Sequence, residues 1–196
     1  MFFVALAIYL VATIDGPILF KAFTLAGLIF GTLGDLLLGF KYTDPKRKKY
    51  WILAGMFAFA LGHISYIVGL FLGFYVAGNI LYIFLPFITA AGLSVLYMVF
   101  SPKLGINFGK LLPFGVLYLF CLTSMVSTSF YMALLHGFSL VTSIIFFCGA
   151  LCFITSDFML TGAYFKPGKR SKPYLAIYSV FYYLAQFAIA FSLFFL

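Results

Sequence analysis

Apolar runs of about 20 residues recur along this chain, and they restrict its fold more than any other feature. A helix of about 20 residues crosses the roughly 30 Å hydrocarbon core of a bilayer. Both faces of each run are apolar, which excludes the alternating pattern of a membrane β-barrel. Only 8% of the 196 residues are charged, against about 25% in a soluble domain. The sequence therefore predicts an all-α integral membrane protein with one domain over residues 1–196.

We predict a polytopic bundle of seven transmembrane helices. They lie at residues 1–14, 17–40, 50–72, 77–100, 111–135, 140–165 and 173–196. The first is short, because 14 helical residues cover only about 21 Å at 1.5 Å each. It also begins without a flanking anchor, so it is either a half-span or the remainder of a longer natural sequence; we favour the second interpretation.

The net charge of +8 is concentrated in three short segments. Seven crossings bring these segments to one side of the membrane, and loops rich in Lys and Arg stay in the cytoplasm. We therefore expect a cell-membrane protein with these loops in the cytoplasm. No basic face lies on a soluble element, so the charge does not predict a nucleic-acid partner. The segments are KYTDPKRKK (41–49), SPKLGINFGK (101–110) and KPGKRSK (166–172).

Two apolar helices each contain one aspartate close to the basic loops. By residue count, Asp35 lies about 8 Å and Asp157 about 12 Å inside the same membrane edge. Acids within a membrane span are costly and indicate function by default, although each could be a structural carboxyl bonded to Ser, Thr or a helix end. Gly27, Gly31 and Gly39 share one helical face with Asp35. Because small residues admit a neighbouring helix, we expect Asp35 to face a helix junction.

Two buried carboxyls at similar depth can share a proton, so that one is an acid while the other stays ionised. We therefore predict that Asp35 and Asp157 form a catalytic pair. Polar side chains at comparable depth are the candidates for substrate binding, although a lone histidine more often has a packing role. These candidates are His63, Tyr66, Ser156, Tyr182 and Gln186.

Metal binding is not predicted. Cys148 and Cys152 share a helical face, but no further Cys or His completes a ligand set. The sequence also lacks a phosphate-binding glycine loop, so no cofactor is expected. Lys21, one turn into the second helix on the side opposite the basic loops, is expected to extend its ammonium to that interface.

The second and sixth helices resemble each other in sequence. AGLIFGTLGDLLLG (26–39) and CGALCFITSDFMLTG (148–162) both have Gly eight residues before Asp and Leu three residues after it. In the helix that follows each of them, an aromatic residue precedes a polar residue by four, in FALGHISY (59–66) and YYLAQFAI (182–189). The pattern suggests two parallel halves related about the membrane normal.

Four segments occur in the order found in one family of membrane proteins. They are GLIFGTLGD (27–35), GMFAFALGHISYI (55–67), GALCFITSD (149–157) and YYLAQFAIA (182–190). From Ala22 onward the chain resembles the YhhN-like, lysoplasmalogenase-like family. That family usually has eight helices, which suggests that an N-terminal helix is absent here. It also has a lysine near the start of its second helix, and Lys21 does not stand in the place of that lysine.

The resemblance implies hydrolysis of the vinyl-ether bond of lysoplasmalogens, which yields a fatty aldehyde and a glycerophospho-alcohol. The partners would then be a lysophospholipid substrate and the bilayer. A carboxylic acid can protonate the alkenyl carbon, and a neighbouring carboxylate can stabilise the oxocarbenium ion and deprotonate water, as in glycoside cleavage. Lys41 and Lys166 are expected to attract the lipid phosphate.

Three alternatives remain open at the level of sequence. A proton- or cation-coupled carrier or channel would use the same aspartates, and its typical feature is a helix broken at mid-membrane, for which Pro86 is a candidate. An intramembrane aspartyl protease also carries two helical aspartates, but Thr32 replaces the first glycine of its GxGD motif. The third alternative is a purely structural membrane protein.

Overall fold

The computed structural model describes residues 2–75, 80–166 and 172–196, and all regular secondary structure within these ranges is helical. Seven α-helices and three single-turn 3₁₀ helices are present there, with no strand. The α-helices are α1 (Phe2–Thr13), α2 (Ile18–Thr43), α3 (Lys48–Phe74), α4 (Leu81–Phe100), α5 (Leu112–Leu135), α6 (Val141–Phe165) and α7 (Lys172–Ser192).

The prediction of an all-α polytopic membrane bundle is confirmed. Six of the described helices, α2 to α7, are long and apolar enough to cross a membrane, whereas α1 has only 12 residues. The second helix continues to Thr43, beyond its predicted end at residue 40. Residues 77–79 of the predicted fourth helix lie outside the described residues, as do residues 167–171 of the third basic segment.

The most extensive packing among the described helices joins α2 to α3. A Cβ added at Gly62 would lie 3.1 Å from the carbonyl oxygen of Gly27, and one added at Gly55 would lie 3.3 Å from that of Gly34. Glycine on both helices lets the two backbones approach, which is how helices associate in lipid without a hydrophobic driving force. The junction expected around the glycines of α2 is therefore present.

Helices α6 and α7 form a second close pair at matching positions. A Cβ added at Gly149 would lie 3.1 Å from the carbonyl oxygen of Ala185. In the proposed repeat, Gly149 corresponds to Gly27 and Ala185 to Gly62. The two contacts agree with the repeat, which itself stays a prediction.

Helix α5 lies inside the bundle and packs on α3, α4 and α6. Its Thr123 hydroxyl is 2.9 Å from the hydroxyl of Ser94 on α4, and both side chains are buried. Hydroxyl pairs of this kind satisfy polar groups between membrane helices. Helix α4 lies at the periphery, with Ile88, Val95 and Val99 exposed.

The α2–α3 and α4–α5 connections and the C-terminal end of α6 gather at one end of the bundle, called the basic end below. The backbone N–H of Asn107 donates to the carbonyl of Phe165 at 3.0 Å. The ammonium of Lys41 lies 4.4 Å from the ring centre of Tyr164. The described parts of all three basic segments therefore lie on the same side, as predicted from helix count.

Lys21 does not behave as predicted. Its side chain is buried, and its ammonium donates to the carbonyls of Val11 at 3.1 Å and Ile14 at 2.7 Å. These carbonyls lie at the C-terminus of α1, where the helix dipole favours a cation and the last carbonyls lack partners in the helix. The expectation that Lys21 reaches for the membrane interface is thus wrong, because the end of α1 offers its ammonium a better partner.

Replacing Lys21 by Met should release α1 from α2. Two charge-assisted hydrogen bonds are lost, so we expect the free energy of unfolding to fall by about 2 kcal/mol. Thermal unfolding in detergent measures the change. Lys46→Met, at an exposed position at the basic end, is the matched control and should leave the midpoint unchanged. Equal midpoints for Lys21→Met and the wild type would refute the capping role.

Candidate active site

A cavity of about 250 Å³ lies at the basic end of the bundle, between helices α2 to α7. Its walls are mainly apolar and aromatic, with Leu38, Phe59 and Leu122 among them. Both predicted catalytic residues, Asp35 and Asp157, line it. Two acids 122 positions apart in the chain therefore face one space, because α2 and α6 run in the same direction towards the basic end.

Asp35 is held by a chain of hydrogen bonds that runs through α7 to α3. The Tyr182 hydroxyl donates to Oδ2 of Asp35 at 2.8 Å. The amide nitrogen of Gln186 donates to the Tyr182 oxygen at 2.9 Å, and its amide oxygen accepts from the Tyr66 hydroxyl at 3.3 Å. The residues behind Asp35 are buried, so the chain provides polar partners where water is excluded.

Two glycines of α2 leave the space that this chain occupies. A Cβ added at Gly31 would lie 2.6 Å from the Gln186 amide nitrogen, and one added at Gly27 would lie 2.2 Å from the Tyr66 ring. Gly39 has no neighbour within 4 Å of the added Cβ. Gly27 and Gly31 therefore admit side chains of α3 and α7 on the Asp35 face of α2, whereas Gly39 makes no such contact with the described residues.

Asp157 is held by a different chain. The Tyr118 hydroxyl on α5 donates to Oδ2 of Asp157 in a short hydrogen bond. Nε2 of His63 lies 3.4 Å from the same hydroxyl oxygen. Nδ1 of His63 is buried and finds no hydrogen-bond partner among the described residues. The side chain of Asp157 is only 7% exposed, whereas that of Asp35 is partly exposed.

Phenylalanine rings separate the hydrogen-bond chain of Asp35 from that of Asp157. The Phe153 ring lies 4.9 Å from the His63 ring and 5.5 Å from the Tyr182 ring, in edge-to-face geometry. Phe59 contacts both Phe153 and Tyr182. Each acid therefore has its own set of polar partners, and an apolar layer lies between the two sets.

The five predicted substrate-binding residues fall into two groups. Ser156 and Tyr182 line the cavity. His63, Tyr66 and Gln186 are not among its lining residues, and they reach the acids only through Tyr118 or Tyr182. Direct contact with a substrate therefore suits the first group, and a supporting role suits the second.

Tyr118, the partner of Asp157, was not predicted from the sequence. It lies on α5 about 9 Å from the basic end of its helix, and Asp157 lies about 12 Å from the basic end of α6, at 1.5 Å per residue. Matching polar residues by their distance from the basic loops could have suggested it. With 14 tyrosines in the chain, depth alone does not single one out.

Substituting Gly31 by Ala should disturb the Asp35 chain without touching Asp35 itself. The new methyl group displaces the Gln186 amide, which breaks its bonds to two tyrosines, so we expect a loss of about 1–2 kcal/mol in unfolding free energy. Gly39→Ala, on the same face of the same helix, has room for the methyl group and serves as the control. Equal unfolding midpoints for the two variants would contradict the packing described here.

Comparison with known proteins gives one match. The model of the YhhN family matches residues 1–193, which confirms the resemblance and extends it to α1. No curated protein matches the chain, and no solved structure does.

Proposed function

The chain belongs to the YhhN family, and from that premise we propose that it is a membrane-embedded hydrolase of lysoplasmalogens. The reaction would cleave the vinyl-ether bond and release a fatty aldehyde and a glycerophospho-alcohol. The observation that carries the proposal is the pair Asp35 and Asp157 on one largely apolar cavity within the membrane-spanning part of the fold.

The chemistry of a vinyl ether suits two carboxyl groups in such a space. Protonation of the alkenyl carbon next to the ether-bearing carbon generates an oxocarbenium ion, so the site needs a carboxylic acid. A carboxylate nearby stabilises that cation and takes a proton from the attacking water. Apolar walls strengthen both electrostatic effects because they exclude bulk water. One protonated and one ionised aspartate supply both functions.

The position of the cavity suits an amphiphilic substrate. The ammonium of Lys41, which lines the cavity, lies 4.6 Å from the Tyr42 ring centre and 4.4 Å from that of Tyr164. We propose that Lys41 attracts the lipid phosphate, as basic groups near a membrane surface do, while the alkenyl ether reaches the aspartates deeper in the bundle. We also propose that the basic end faces the cytoplasm at the plasma membrane.

Coupled transport is less well supported. Each described helix from α2 to α7 is continuous, including α4, which contains Pro86. Carriers that bind ions at mid-membrane typically use interrupted helices, whose free backbone groups coordinate the cargo. The aspartates here have tyrosine partners instead, which suits proton chemistry on a bound molecule.

Purified protein in detergent should release aldehyde from a lysoplasmenylethanolamine. Asp35→Asn and Asp157→Asn should each lower the rate by about 10²–10⁴-fold, the usual contribution of a general acid or base. Aldehyde formation coupled to an alcohol dehydrogenase gives the rate. Asp15→Asn, at an exposed acid on the opposite end, is the matched control and should retain full activity.

Two results would reject the proposal. Aldehyde release that survives both substitutions at the cavity would exclude the paired acids. No aldehyde release at all, together with Asp35-dependent proton flux in liposomes, would support the carrier instead.

A further inference from the structure

We propose that the two aspartates have fixed and different roles, with Asp157 as the proton donor and Asp35 as the ionised carboxylate. The assignment rests on the proposed hydrolase function and goes beyond it, because the composition of the pair does not distinguish its members. It follows from which group donates and which group accepts at each hydrogen bond in the two chains of hydrogen bonds.

In the chain of hydrogen bonds behind Asp35, every bond is donated in the direction of the carboxylate. An amide nitrogen only donates and an amide oxygen only accepts. Since the Gln186 nitrogen donates to the Tyr182 oxygen, the Tyr182 proton is free to point only at Asp35. Oδ2 of Asp35 must then accept, which is the preference of a carboxylate. In this arrangement the Tyr66 hydroxyl donates to the Gln186 amide oxygen at 3.3 Å.

The chain behind Asp157 can run in either direction. Tyr118 lies between the carboxyl group and Nε2 of His63. With Nε2 protonated, His63 donates to Tyr118 and Tyr118 donates to an ionised Asp157. With Nε2 unprotonated, a protonated Asp157 donates to Tyr118 and Tyr118 donates to His63. Imidazole allows both arrangements because either ring nitrogen can carry the proton.

Within the described part of the chain, no hydrogen bond at Nδ1 of His63 restricts the tautomer of the ring. In many buried histidines a partner at the second nitrogen determines which nitrogen is protonated. Here Nδ1 is buried without a partner among the described residues, so neither tautomer is imposed. Within one turnover the tautomer need not change, because Tyr118 donates to His63 while Asp157 is protonated and turns its hydroxyl proton to Asp157 once the acid is ionised. Tyr118 therefore has a partner in both protonation states of Asp157.

Burial favours the same assignment. Asp157 is only 7% exposed, and a neutral carboxyl group costs much less to bury than an ionised one. Asp35 is partly exposed, which suits the member of the pair that carries the charge.

Every proton that moves in the proposed hydrolysis has a named donor and acceptor. Asp157 gives its proton to the alkenyl carbon, and the oxocarbenium ion forms opposite the Asp35 carboxylate. Water adds to the cation and gives a proton to the Asp35 oxygen that Tyr182 does not bind. The hemiacetal then collapses: its hydroxyl proton goes to Asp157, and Asp35 protonates the departing ether oxygen. Aldehyde and alcohol leave, and both aspartates return to their starting states.

Other titratable groups also face the cavity. On α2, α4, α6 and α7 they are Lys41, Tyr42, Tyr97, Tyr164 and Tyr178. Behind the lining, His63 and Tyr66 on α3 contact the tyrosines that bind the acids. The two acids differ in their tyrosine partner, since Tyr118 binds Asp157 and Tyr182 binds Asp35.

The pH dependence of kcat/KM in detergent tests the assignment. Activity should require a protonated Asp157 and an ionised Asp35, so the wild type should lose activity on both sides of its optimum. Asp157→Asn should abolish the alkaline limb and keep the acid limb in its residual activity. Asp35→Asn should do the reverse.

Tyr118→Phe and Tyr182→Phe form a matched pair, since each removes one hydroxyl that binds one acid. Each should lower kcat by about 10- to 100-fold, the effect of one hydrogen bond to a charged group. Tyr118→Phe should move only the alkaline limb, and Tyr182→Phe only the acid limb. His63→Leu should likewise move only the alkaline limb, and Gln186→Leu only the acid limb, because these residues contact Tyr118 and Tyr182. A purely structural role would instead lower activity without moving either limb.

Each result has a defined meaning. The assignment is overturned if Asp157→Asn abolishes the acid limb and Asp35→Asn the alkaline limb. It is also overturned if both limbs of the pH profile move together in both tyrosine variants. Either result leaves the hydrolase function intact. Absence of aldehyde from the wild-type protein overturns the proposed function and the assignment with it. Wild-type activity with the expected division supports both.

Discussion

The site depends on one type of interaction, the hydrogen bond between a buried aspartate and a tyrosine from another helix. A carboxyl group within a membrane span is costly unless a polar partner meets it there. Asp35 is met by Tyr182 of α7, and Asp157 by Tyr118 of α5. Because the second helix must stand at the right distance and rotation, these two bonds also fix how α7 and α5 pack beside the acids. The polar groups thus specify an arrangement that apolar packing in lipid alone would leave less defined.

Each aspartate is supported by a residue from the other helix pair, where the pairs are α2–α3 and α6–α7. His63 lies on α3, the partner of α2, yet it reaches Asp157 on α6. Gln186 lies on α7, the partner of α6, yet it reaches Asp35 on α2. Neither pair therefore completes a site by itself. The two halves of the proposed repeat therefore form one cavity in which the two acids have unlike surroundings.

Much of this arrangement was predictable and some was not. The helices and the depth of Asp35 and Asp157 follow from residue counts, because a helix rises 1.5 Å per residue. The pairing of acids with their partners does not. His63 lies on the helix that follows Asp35, yet the rotation of α3 directs its imidazole towards Tyr118, the partner of Asp157. Lys21 was also misjudged, because its partners are backbone carbonyls of α1, which no side-chain pattern reveals.

The sequence by itself determined that the chain is a bundle of apolar helices and that two acids lie near the ends that carry the basic loops. Hydrophobic length and charge position suffice for this, since both act on each helix separately. Only the tertiary structure decided which tyrosine each acid meets and which residues stand behind it. Those choices depend on the rotation and register between helices, and such contacts form between residues as far apart in the chain as Asp35 and Tyr182.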